Sequence, residues 1–97
     1  MPDEIIHQSM RLKIMAALNM VRQKDGVEFT QLKSLLATTD GNLGAHLETL
    51  SKANYVVIDK RSDGKRPRTY VRATPAGRRA FVQHVAYLRE IFDAAKI

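Results

Sequence analysis

The 97-residue sequence predicts one mostly helical α+β domain, 1–97: a three-helix core, a two-stranded β-hairpin, and a long C-terminal helix over 74–97. Three observations predict it. Leucines recur at helical spacing on both sides of Thr38-Thr39-Asp40, so residues 30 to 53 read as two helices joined by a tight turn. Two β-branched and aromatic runs, Tyr55 to Ile58 and Thr69 to Ala73, flank an Asp63-Gly64 turn signal. Thr74-Pro75 then opens a helical pattern that runs to about Lys96.

In chain order, residues 1 to 8 form a lead-in or an early helical turn. Ser9 to about Gln23 reads as a helix stopped by Asp25-Gly26. Met10, Ile14, Ala17, Leu18 and Val21 share its core face. Leu12, Met15 and Ala16 fall near the opposite face, so this helix is either central or shared with a partner. Val27-Glu28-Phe29 is a minor strand leading into Thr30, a residue type able to cap the next helix, which carries Leu32, Leu35 and Leu36. Thr38, Thr39 and Asp40 each offer a side-chain oxygen to cap the following helix, 40–53. There Leu43, Leu47 and Leu50 make one narrow inward stripe. Gly41, Asn42, Ala45, Glu48, Thr49 and Lys52 face outward with no large apolar side chain, a surface suited to close approach. Asn54 tolerates the left-handed conformation that a helix end often needs. On the second hairpin strand, Thr69, Val71 and Ala73 share one face while Arg68, Tyr70 and Arg72 share the other.

The terminal helix, some 22 residues, would be about 33 Å long at 1.5 Å per residue. A body of this size has a radius of gyration of only about 12–13 Å. The apolar stripe of that helix includes Phe81, His84, Val85, Leu88, Ile91 and Phe92. One small body can hardly bury it, whereas a second copy could, pairing it with the spare face of the first helix. A homodimer seamed by Leu12, Met15, Phe81, His84, Val85, Leu88, Ile91 and Phe92 is therefore expected. A terminal helix folded over its own core is the other arrangement.

Composition narrows the function classes. Hydrophobic content of 44% and charge of 27% fit a folded soluble domain. No apolar run approaches the ~20 residues of a membrane span, and no export signal opens the chain; a cytoplasmic protein with no membrane partner is expected. The absence of cysteine removes disulfides, thiolate metal sites and thiol chemistry. The net charge is +6, and it is unevenly placed. Half of the 16 Lys and Arg fall in residues 60 to 79, against the single acid Asp63. A merely solvated surface would interleave acids, so the patch points to an anionic partner.

This order of elements resembles the winged helix-turn-helix regulators of bacteria and archaea, in the small single-domain branch related to MarR-like and ArsR-like proteins. Arg11 to Met15 looks like the opening helix motif. Leu43 to Leu50 is similar to the recognition helix, and Lys52 to Val56 to the junction after it. Gly64 to Tyr70 looks like the wing with its returning strand, and Thr74 to Gly77 matches the start of the last helix. The resemblance implies a dimeric, sequence-specific transcriptional regulator of double-stranded DNA. Its recognition helix would lie in the major groove, and its basic wing, 60–68, on the adjacent groove or backbone. The DNA-contacting residues would be Thr38, Thr39, Gly41, Asn42, Ala45, Thr49, Lys60, Arg61, Lys65, Arg66 and Arg68. Residue chemistry agrees: Lys and Arg neutralise phosphates, and Asn42 and Thr49 can hydrogen-bond to base edges.

The chain departs from the pattern of the family it resembles at Gly44-Ala45, where members often carry Ser followed by a cation. No Arg or Lys stands between Lys33 and Lys52, and a glycine inside a helix costs about 1 kcal/mol relative to alanine. Either the backbone there comes unusually close to the DNA or base reading is thin, so much of the affinity is expected from the wing, with modest sequence discrimination. Other function classes find little support. His7, His46 and His84 lack metal-ligand spacing, no nucleophile–base pair or phosphate loop appears, and neither a cofactor nor an enzyme activity is expected. Relatives bind effectors at the dimer seam, but no residue set here points to a small-molecule effector. His84 reads as an interface histidine, or as one whose protonation tunes dimerisation. The remaining alternatives are a protein-interaction or architectural module of low sequence specificity, or binding of RNA by shape.

Overall fold

The computed structural model of the protein describes residues 2–21, 24–64 and 66–95. The elements run α1 Ser9–Met20, β1 Val27–Glu28, α2 Phe29–Leu36, α3 Asp40–Lys52, β2 Val56–Asp63, β3 Arg66–Ala73 and α4 Pro75–Ala95. This is a winged helix fold. Among the described residues its strands form one antiparallel sheet in the order β1-β3-β2. Val27 pairs with Val71, and the hairpin pairs from Val56–Ala73 out to Asp63–Arg66.

The leucine stripe of α3 does what its spacing requires. Leu43, Leu47 and Leu50 are buried beside Ile14, Met15, Leu18, Leu32 and Val71. Truncating such a residue to alanine costs about 2–5 kcal/mol through reduced burial and the cavity left behind. Gly26 has to be glycine: its φ is +84°, and a Cβ there would collide with the Val71 carbonyl of β3. Asn54 takes the left-handed conformation after α3, with φ 64°. The α2–α3 turn uses the same device less comfortably, on Ala37 at φ 50°. Thr74 starts α4, its hydroxyl accepting from the Gly77 amide at 2.9 Å.

Four sequence expectations need correction. Thr30 does not cap α2. The helix starts two residues earlier than a Thr30 cap would place it, at Phe29, with Glu28 in the capping position and no side-chain cap bond there among the described residues, and the Thr30 hydroxyl donates to Glu28 at 2.6 Å. The chain passes from pairing with β3 directly into the helix, leaving no room for a separate cap. The hairpin strands are also longer than Tyr55–Ile58 and Thr69–Ala73, because ladder pairing continues through the charged residues up to Asp63 and Arg66. Met15 is fully buried within the chain, so it cannot sit on a dimer surface. Its helix packs against α2, α3, β3 and α4 at once, which explains the two apolar faces of α1 without a partner. His84, the fourth, is likewise only 1% exposed.

The lead-in that covers His84 is a folded turn. Asp3 Oδ1 accepts from the amides of Ile5 and Ile6, and Asp3 Oδ2 accepts from the Tyr55 hydroxyl at 2.7 Å. The Asp3 amide donates to His84 Nδ1 at 3.2 Å, and His84 Nε2 lies 3.4 Å from His7 Nδ1. The bond to Asp3, helped by burial, raises the Tyr55 pKa to about 12. Burial, then the neighbouring His7, lowers that of His84.

The long axis of the molecule comes from α4. The extents are 57 × 25 × 22 Å. Every residue from Arg89 to Ala95 is exposed, including Phe92 at 76%, so the last two turns of the helix project beyond the body.

Candidate nucleic-acid interface

Helix α3 enters this surface with a well-made N-terminus. Thr39 Oγ1 accepts from the Asn42 amide at 3.1 Å, and the Asn42 side-chain amide donates to Thr38 Oγ1 at 2.8 Å. Thr38, Thr39 and Asn42 are thus one capping cluster, which fixes the first turn and leaves the Asn42 carbonyl oxygen as its outward acceptor. Gly41 and Ala45 are exposed on the same helix, and Thr49 donates to the Ala45 carbonyl at 3.3 Å. The two cations bordering α3 are both engaged with acids. Lys33 meets Asp40 at 2.8 Å, and Lys52 meets Glu48 at 3.1 Å. Such surface pairs contribute only about 0–1 kcal/mol to stability. They do, however, lower the positive field of the helix.

The hairpin carries the opposite balance. Lys60, Arg66 and Arg68 are exposed. Arg68 reaches Glu28 of β1 at 3.4 Å. Arg61 has a different occupation from the phosphate contact expected of it. Its guanidinium holds Asp25 and Asp59, both at 2.9 Å, and lies 4.9 Å over the Tyr70 ring. Two carboxylates raise its pKa still further, and Arg61 in turn lowers that of Asp25. The residue ties β2 to the loop before β1, its charge matched by two carboxylates. Lys65 lies outside the described residues.

Helix α3 and the hairpin meet at one cleft of about 360 Å³, with Gly44 and Glu48 on one side, Lys60 and Thr69 on the other, and Phe29, Leu47 and Ile58 between them. The candidate reading helix and the candidate wing therefore share one side of the molecule. His46, on the far flank of α3, meets Arg11 at 3.1 Å, and Arg11 also donates to the Ile5 carbonyl. This joins α3 to the lead-in, a role its position beside the leucine stripe did not reveal.

The remaining expected residues divide by burial. Leu12, Phe81, Val85 and Leu88 are half-buried, while Ile91 and Phe92 are exposed at 48% and 76%. Val82, unnamed in the sequence expectation, is 62% exposed and lines an apolar depression on α4 with Phe81, Val85 and Ala86. It falls off the apolar stripe, about 100° round the helix from Phe81, so periodicity gave no signal for it. Among the described residues no group of three His, Cys, Asp or Glu is arranged to hold a metal, and no helix is long and apolar enough to cross a membrane.

A three-helix core, a reading helix with a capped N-terminus and a basic hairpin beside it define a DNA-binding domain of the winged helix class. The chain belongs to the winged helix DNA-binding domain family, whose pattern matches residues 10–92. It is 34% identical over 93 residues to an uncharacterised protein of Methanocaldococcus jannaschii, covering 96% of this chain and 95% of that one. In structure it is similar to a transcriptional regulator homologue from Pyrococcus horikoshii OT3, with a TM-score of 0.87 and 27% identity over 98% of this chain and 91% of that one. It also shares the fold of NadR in complex with 4-hydroxyphenylacetate, at a TM-score of 0.68 and 23% identity, covering 93% of this chain and 64% of that one. The family is one of DNA-binding domains rather than enzymes.

Proposed function

We propose that the chain is a homodimeric transcriptional regulator that binds duplex DNA sequence-specifically in the cytoplasm, as one domain spanning residues 1–97. The observation that carries this reading is the common cleft. It sets Gly44 and Glu48 of α3 opposite Lys60 and Thr69 of the hairpin, so helix and wing can engage one duplex together. Helix α3 would enter the major groove, with Asn42 and Thr49 toward base edges. Lys60, Arg66 and Arg68 would neutralise phosphates. Arg61 works in this reading as a strut.

The dimer is supported by the projecting end of α4. A second copy would cover Val82, Ile91 and Phe92, with Phe81, Val85 and Leu88 at the edge of the seam. Exposed apolar groups of this kind repay burial at about 25 cal/mol per Å². Replacing Ile91 and Phe92 together by aspartate is expected to convert a dimer to a folded monomer in sedimentation. A parent that sediments as a monomer at micromolar concentration would refute the dimer.

Selection of bound sequences from random duplexes tests the reading as a whole. Enrichment of a palindrome with half-sites about 34 Å apart is the expected result. Duplex binding without enrichment would instead favour an architectural module, a reading to which the paired Lys33 and Lys52 lend weight. Failure to retain any duplex would remove DNA as the partner.

A further inference from the structure

Gly44 has no explanation within the chain. It lies in the interior of α3 without a positive φ, where glycine is the least favourable residue apart from proline. Two other glycines are accounted for by crowding. A Cβ on Gly26 would strike the Val71 carbonyl, and one on Gly77 would strike the Tyr55 carbonyl. A Cβ on Gly44 would meet nothing within 4 Å among the described residues. The space beside it belongs to the cleft between α3 and the hairpin.

We propose that this cleft is the seat of one sugar–phosphate strand of the duplex, and that Gly44 keeps it open. The inference rests on the DNA-binding reading above and assigns the strand a location within it. A helix in the major groove and a hairpin at the adjacent minor groove must straddle the backbone between those grooves, and the cleft is the gap between the two elements. Its chemistry suits that occupant. Phe29, Leu47 and Ile58 form an apolar floor for deoxyribose faces. The exposed Lys60 supplies a cation on the rim, and the Thr69 hydroxyl a hydrogen-bond donor. Glu48, the acid at the cleft, is held by Lys52 on its own helix, which offsets its repulsion of a phosphate. A methyl group at position 44 would narrow the gap from the α3 side.

The test separates folding from binding. Gly44→Ala and Gly44→Leu are compared with the parent by thermal melting and by fluorescence anisotropy. The two probes are the best duplex from the selection and a scrambled duplex of equal length. Alanine fits the helix better than glycine, so Gly44→Ala is expected to melt about 4–8 °C higher. It is nevertheless expected to bind both duplexes about tenfold more weakly, and Gly44→Leu about a hundredfold. Because a phosphate seat reads no sequence, the loss is the same for both probes. Lys60→Ala is expected to reduce the slope of log affinity against log salt by about one. A Gly44→Ala protein that binds both duplexes as tightly as the parent overturns the proposal. So does a loss confined to the selected site, which would make position 44 a base reader. If the parent itself binds neither duplex, the DNA-binding reading fails first and this seat falls with it.

Discussion

Helix α3 and the β2–β3 hairpin face the same cleft with opposite electrostatic designs. On α3 the bordering cations are held in pairs, Lys33 by Asp40 and Lys52 by Glu48. Its outward residues are small or neutral, with hydroxyls and one amide organised around the helix start. On the hairpin, Lys60 and Arg66 stand exposed, Arg68 is exposed and reaches Glu28 at 3.4 Å, and Arg61 is held between two carboxylates against a tyrosine ring. The contrast suggests a division of labour. Under the proposed function the hairpin would provide grip that any phosphate backbone satisfies, and α3 would provide register and base discrimination. Positive charge counted along the sequence is a poor guide to how much of it is unengaged, because Arg61 of the basic stretch already holds two carboxylates.

The strongest way to break this comparison is to remove hairpin charge. The double variant Arg66→Ala, Arg68→Ala is expected to bind about a hundredfold more weakly at near-physiological salt, equally for selected and scrambled duplexes in anisotropy titrations. A loss restricted to the selected site would transfer base reading to the hairpin. Changing α3 should do the reverse. Asn42→Ala is expected to lower discrimination between the two duplexes about tenfold, within the roughly 1–3 kcal/mol that a good base contact contributes, and to leave scrambled binding nearly unchanged. Since Asn42 also donates to Thr38, melting curves should accompany that measurement to show that the helix start survives.

Smaller effects concern how α3 is held in place. Ala37 adopts a left-handed conformation in the turn before it, φ 50°, where a Cβ is strained. Ala37→Gly is expected to stabilise the fold by about 0.5–1 kcal/mol, read as a melting temperature several degrees higher, with DNA affinity preserved. An unchanged or lower melting temperature would show that the turn carries no such strain. The smallest expected effect is a pH dependence at His84. The groups facing it are the Asp3 amide and carboxylate, His7 and the stacked Tyr87 ring. Burial and His7 hold its pKa below the usual 6.5, so folding favours the neutral ring. Its contribution is complete above pH 6.5 and is lost as the pH falls through the lowered folded value. The unfolding midpoint in urea should therefore decline below pH 6.5 in the parent, and decline less in His84→Gln. Parallel declines in the two proteins would remove His84 as the cause.

Much of this architecture was legible in the residues. The order of elements, the leucine stripe of α3, the cap at Thr74, a capping group among Thr38, Thr39 and Asp40 and the left-handed Asn54 follow from local chemistry that tertiary packing did not override. The failures share a physical origin in interactions between distant segments. Met15 looked like a spare face because periodicity cannot show that α1 is packed by four other elements. The strands were read short because residues 59 to 68 are charged, yet a hairpin standing away from the body is solvated and tolerates charge along its ladder. The lead-in looked featureless, although Asp3 is a capping residue type; Gln8, which is not, nonetheless caps α1. Their partners, the amides of Ile5, Ile6 and Arg11, are near in sequence, but Tyr55 and His84 are far away. On the candidate site, the residue types were readable, but the internal engagement of Arg61 and the cleft at Gly44 were not, since both depend on how β2 lies against its neighbours.

The division of labour between hairpin and α3 is tested most directly by salt dependence. The slope of log affinity against log salt, measured between 50 and 200 mM, becomes shallower by about 0.9 for each phosphate that is no longer neutralised. On one selected duplex, the Arg66→Ala, Arg68→Ala protein should show a slope shallower than the parent by about two, while Asn42→Ala keeps the parent slope. Equal slopes for the parent and the double variant, or a flattened slope for Asn42→Ala, would contradict the account.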